Sequence, residues 1–169
     1  MINLATVAIR PVTPQDETFL FDLYASTRQE ELDAWGWDPV QRQAFLQLQF
    51  RAQRLSYQTQ FPDAQHSVIE QAQGAIGAIL INRTPEQICL VSIALLPQYR
   101  HQGLGTWLLQ NLMVEATQTD RPITLHVAWG NPAMRLYQRL GFRQIQNTET
   151  YVQMDWREDI LIPDSKGAT

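Results

Sequence analysis

The chain has 169 residues, 44% hydrophobic and 18% charged, with a formal net charge of −4. Those values suit one folded domain with one core, and a net acidic chain has no global basic field for nucleic acid. No apolar run approaches the ~20 residues that span a bilayer and no signal-peptide pattern opens the chain, so the expectation is a cytoplasmic protein without a membrane partner.

Along the chain, "TVAIRPV" alternates as a first strand, with Val7 and Ile9 on one side. Thr13, Pro14 and Asp16 then form a helix start: a hydroxyl cap, a proline that needs no N–H, and an acid at the positive helix end. Phe19, Leu20, Leu23 and Tyr24 follow at helical spacing. A second start stands at Asp38-Pro39, and Val40, Ala44, Phe45, Leu48, Ala52 and Leu55 read as its apolar stripe. Between the two helices lies "RQEELDAWGWD", rich in acids and tryptophans.

From His66 the pattern turns to strands. "HSVIEQAQGAIGAILIN" reads as a hairpin folded at Ala72–Gly74, and "EQICLVSIALL" as a strand covered on both faces. Leu104, Leu108, Leu109, Leu112 and Ala116 mark a third helix, and "PITLHVAW" another strand. Asn131-Pro132 opens a fourth helix that stops at Gly141, the favoured residue past a helix end. "FRQIQ" and "ETYVQMDW" close as a hairpin, and "PDSKGAT" reads as a frayed tail. The order β-α-α-β-β-β-α-β-α-β-β implies an α/β (α+β) fold with a mixed sheet, parallel on its C-terminal side. One domain is expected over residues 3–157, with a tail over 158–169.

Cys89 is the single cysteine, which excludes an internal disulfide and a cysteine-based metal cluster. Its apolar run points to a buried, inert thiol. His66, His101 and His126 lack the close spacing of a zinc site, so no metal is expected.

The stretch that carries chemistry is "PQYRHQGLGTW". A P-loop needs a lysine after its last glycine, but Thr106 and Trp107 follow Gly105. A dinucleotide fold needs a small residue where Leu108 stands. A third reading fits: a strand, an Arg-x-x-Gly-x-Gly turn over Arg100, Gly103 and Gly105, then a helix. Two glycines let a pyrophosphate reach the backbone, where the free N–H groups and the dipole of the helix start attract it.

At these residues the chain resembles the GNAT family of acetyl-CoA-dependent N-acetyltransferases. Two linked motifs carry the resemblance, "IALLPQYRHQGLGTWLL" and "LHVAWGNPAMRLYQRLGF". It implies the GNAT-like fold, a mixed sheet flanked by about four helices. It also implies direct acetyl transfer from acetyl-CoA, as cosubstrate, to a primary amine. By the same resemblance the pantetheine arm pairs with backbone near Ile93 and Leu95. The amides of Gln102, Gly103, Leu104, Gly105 and Thr106, with Arg100, hold the pyrophosphate, and His101 adds positive charge at the rim. His101 stands where the family often has glycine. Asn131 matches a position that approaches the cofactor, and it also suits a plain helix cap.

Tyr137 in "RLYQRLGF" matches the family's general acid, the phenol that protonates the departing thiolate. Its alternative is a core position beside Ala133, Leu136 and Leu140. No general base stands out: Ser92 is the only polar side chain in "VSIALL", and Glu70 reads as a surface residue. The acceptor pocket of the family involves the first two helices and their connection. Glu30, Glu31, Asp33, Trp35, Trp37 and Asp38 there would suit a cationic amine, or be ordinary solvated acids and packed rings. A small-molecule amine ranks above a protein lysine. The rival class is a non-catalytic acyl-CoA-binding sensor or interaction module, and a longer acyl chain is a third reading. Homodimerisation through exposed C-terminal strands is a further expectation.

Overall fold

The computed structural model describes residues 3–158. Most of the expected tail, from 159 on, lies outside the described residues. The elements are β1 (Ala8–Pro11), α1 (Glu17–Asp33), α2 (Pro39–Gln60), β2 (Gln65–Gln71), β3 (Gly74–Arg83) and β4 (Ile88–Leu95). They continue with α3 (Leu104–Gln118), β5 (Ile123–Ala128), α4 (Ala133–Arg139), β6 (Arg143–Asn147) and β7 (Tyr151–Trp156). The order of strands and helices matches the reading from periodicity. The seven strands form one mixed sheet in the order β1-β2-β3-β4-β5-β7-β6, in which only β4 and β5 run parallel.

Alternation along the strands sends apolar side chains to two faces. Ile69, Ile79 and Ile81 meet Leu104, Leu108, Leu109 and Leu112 of α3 on one face. Ala78 meets Leu20 and Leu23 of α1 and Phe50 of α2 on the other. Gly77 lets β3 and β4 come this close: a Cβ there would stand 2.6 Å from the Ala94 carbonyl oxygen. The start of α1 is pinned by Asp16, the acid expected there, while the Thr13 hydroxyl donates to that carboxylate at 3.0 Å instead of capping a backbone N–H. The Asp16 carboxylate accepts from the Thr13 amide at 2.7 Å and takes Arg10 bidentately at 2.8 Å. The Arg10 guanidinium holds that carboxyl well below the usual carboxylate range.

The apolar stripe expected on α2 is a correction. Val40 is 79% exposed, and Leu48 and Leu55 are each 66% exposed, whereas Leu46 and Phe50 are buried. The helix has apolar residues on two sides, and the larger surface of Phe50, with Tyr57 beside it, decides which side turns inward. β4 also departs from expectation. Only Ile88, Cys89 and Leu90 are buried; Val91 to Leu95 are half-buried.

Candidate active site

The change along β4 has a cause in register. On the β3 side, Ile81 pairs with Leu90 and Leu80 with Ser92, so Val91 is an extra residue, a β-bulge. On the β5 side, pairing runs from Ile88↔Ile123 to Leu90↔Leu125 and stops there. Beyond Leu90 the two parallel strands part. The backbone of Val91 to Leu95 therefore has no ladder partner on the β5 side, although β5 itself continues to Ala128. An extended chain could complete that edge with main-chain hydrogen bonds.

The parted strand leads directly into the glycine loop. His101 (φ 58°) and Gly103 (φ 84°) both adopt the left-handed conformation, and Gly103 is the residue from which α3 begins. No backbone amide from His101 to Thr106 donates to a protein acceptor among the described residues; Trp107 is the first to do so, to Gly103 at 3.0 Å. This run of unspent N–H groups at the N-terminus of a fifteen-residue helix is suited to an anion with several oxygens. A Cβ on Gly103 would meet nothing within 4 Å, so protein packing leaves the space beside it open. Gly105 has a different reason: a Cβ there would press on Leu136 of α4 at 3.3 Å.

The other expected residues fall around these two features. Arg100 donates from Nε to the Leu95 carbonyl at 2.8 Å and lies 3.4 Å from the Ser26 hydroxyl, tying the strand end to α1. Asn131 accepts the Ala133 amide at 2.9 Å, so it caps α4, and it also lines the main cavity. Tyr137 packs its ring in the α3-side core against Phe142, with centroids 5.6 Å apart. Its hydroxyl makes no protein hydrogen bond among the described residues, and burial pushes the phenol up to about 12. A phenol so placed keeps its proton at neutral pH, as a donor must. Cys89 is buried, and burial pushes its thiol up as well, which fits an inert core residue. Glu70 is held by Arg10 at 2.8 Å.

A cavity of about 420 Å³ opens beside the bulge, between α1, α2 and the β2–β4 portion of the sheet. Tyr24, Phe50, Tyr57 and Phe61 supply its aromatic walls, and Arg54, His66, Ser92 and Asn131 its polar points. Among its lining residues Arg54 is the one with a full charge, and no carboxylate takes part. The acid-rich connection between α1 and α2 does not reach it. Trp35 and Trp37 pack on each other and on Phe45, Asp38 caps α2, and Asp33 and Glu31 pair with Arg42 and Arg28. Of the two readings of that loop, these contacts favour ordinary helix-end acids and packed rings, since Glu31, Asp33 and Asp38 all have local partners. Tyr57 and His66 line the cavity although neither belongs to the two sequence motifs, and His66 stands out in the sequence only as a histidine without metal-ligand spacing.

A mixed sheet whose parallel pair parts at a bulge, beside a loop of unspent amides, is the acyl-CoA N-acyltransferase architecture. Residues 62–144 match the Acetyltransferase (GNAT) domain family, and over that stretch the chain is similar to the GNAT acetyltransferases. An N-alpha-acetyltransferase of Sulfurisphaera tokodaii is 40% identical over 65 residues, covering 37% of this chain and 39% of that one. The human cysteine-rich protein 2-binding protein is 41% identical over 56 residues, 33% of this chain but 6% of its own length. The chain thus spans well under half the length of these curated relatives. Among solved structures, PaiA N-acetyltransferase from Thermoplasma acidophilum, in complex with coenzyme A, superposes with a TM-score of 0.67. At 16% identity it covers 89% of this chain and 98% of its own, so the likeness is one of fold.

Proposed function

We propose that this protein transfers an acetyl group from acetyl-CoA directly to a primary amine of a small molecule. The observation that carries the reading is the continuity of two features: β4 backbone from Val91 to Leu95 with no partner on the β5 side, and amides from His101 to Thr106 that donate to no protein acceptor among the described residues. The loop amides suit the pyrophosphate, and the exposed edge at Ile93 and Leu95 suits the amide-bearing pantetheine arm. Coenzyme A in the PaiA structure of the same fold supports the choice of ligand. Acetyl-CoA brings the activated thioester; the chain positions it and handles protons. The Tyr137 phenol, protonated and without an acceptor among the described residues, serves the leaving thiolate.

The acceptor enters through the 420 Å³ cavity, which meets β4 at Ser92, Ile93 and Ala94. Its volume and aromatic walls suit a small amine with an apolar body. Its lack of lining carboxylates disfavours a polycation. The experiment is free-thiol release from acetyl-CoA against a panel of aromatic, aliphatic and polycationic amines. Release with one or more aromatic or aliphatic amines is expected. Acetyl-CoA binding without release in any well would contradict catalysis and favour the binding-module alternative.

A further inference from the structure

The large cavity holds a titratable side chain that the reaction above leaves unused. His66 on β2 pairs with Leu80 on β3, and Leu80 pairs with Ser92 on β4. Directly paired residues share a face, so the three side chains form one row pointing toward α1 and α2. All three line the cavity. The row crosses two strand spacings, roughly 10 Å from imidazole strand to serine strand. It ends at the residue next to the bulge, where β4 leaves β5. From above, Tyr57 of α2 lines the same cavity. The His66 side chain makes no hydrogen bond or ion pair among the described residues, so its ring nitrogens remain available to the cavity.

We infer that His66 accepts the proton that a protonated amine must lose before it attacks the thioester, with Ser92 and Tyr57 orienting the amine. This rests on the acetyl-transfer reading above. An alkylammonium in the cavity gives one proton to the imidazole and becomes the neutral nucleophile. Its nitrogen lone pair forms the C–N bond, the C–S bond breaks, and the thiolate takes a proton from Tyr137. The nitrogen sheds its second proton as the amide forms and so restores the phenol. One proton leaves overall, from His66 to solvent.

The surroundings favour this use. Burial lowers the His66 imidazole below its ordinary value, as does Arg54 of α2, while Asp16 ahead of α1 opposes them. On the β1 side Arg10 is engaged by Asp16 and Glu70. The imidazole is thus neutral, and a proton acceptor, at pH 7. Glu70 is not a rival, since it is committed to Arg10 and does not line the cavity.

The test compares two amines in wild type and His66→Gln, with enzyme-free rates subtracted. Phenethylamine is charged at neutral pH and must lose a proton first; hydroxylamine is neutral and need not. The expected result is a fall of about a hundredfold in kcat for phenethylamine, much less for hydroxylamine. The acid limb of the phenethylamine kcat profile should centre below pH ~6.5 in wild type and vanish in the variant. Unchanged acetyl-CoA affinity by calorimetry would show that the variant is folded. Equal losses with both amines, or an acid limb that survives in His66→Gln, would overturn His66 as base and leave acetyl transfer standing. No thiol release above background from wild type with either amine would overturn the transfer reading and this inference with it.

Discussion

The two halves of β4 differ in one respect that decides the site. Ile88 to Leu90 hydrogen-bond to strands on both sides and are buried; Ser92 to Leu95 pair with β3 alone and stay half-open. Side-chain chemistry does not separate them, since both halves are mostly aliphatic. What separates them is one extra residue, Val91, which shifts the register and ends the pairing with β5. A strand can thus be core at one end and an open edge at the other.

The strongest way to break that contrast is Gly77→Ala. Its Cβ would stand 2.6 Å from the Ala94 carbonyl oxygen, so β3 and β4 must move apart where β4 already lacks its other neighbour. A loss of about 3 kcal/mol in chemical denaturation is expected, at the upper end of overpacking costs. Tyr137→Phe comes next: about a hundredfold fall in kcat with acetyl-CoA affinity kept, read by thiol release and calorimetry. If the rate is untouched, the phenol is only a core residue.

Gly103→Val tests the loop. The φ of 84° costs a β-branched residue about 1–2 kcal/mol, and the branch enters the open space beside the free amides. Acetyl-CoA affinity should fall tenfold or more, whereas Gly105→Ala should disturb packing against Leu136 first. A smaller effect sits at the far end of the sheet. Asp16 has a lowered folded pKa because Arg10 bonds its carboxylate, so its stabilisation is present above the unfolded value near pH 4. It is lost as pH falls further, and thermal melts of Asp16→Asn should lose that part of the acid dependence. Cys89→Ala should change turnover least, and no acetyl-enzyme should form on the buried thiol.

The strands and helices were legible because hydrophobic period, caps and glycines each marked them: Asp38-Pro39 opens α2, and Gly141 (φ 90°) stands just past α4. The loop was legible for a related reason, since Gly103 and Gly105, which shape its turn and its approach to α4, stand openly in the sequence. The bulge was not, because Val91 looks like any β-branched strand residue and only its partners reveal the shift. Nor was the inward face of α2, where two apolar sides competed and packing with α1 chose Phe50. The cavity residues Tyr57, His66 and Ser92 come from one helix and two strands, and sequence spacing carries no sign of their meeting.

The central claim is that coenzyme A completes the open half of β4 and takes up the amides of the loop. Backbone amide NMR during an acetyl-CoA titration tests it directly. The account predicts the largest shifts at His101 to Thr106 and along Val91 to Leu95, with Ile88 to Leu90 nearly still. Shifts confined to the smaller cavity near Arg83 and Glu115, on the α3 side of the sheet, would contradict it.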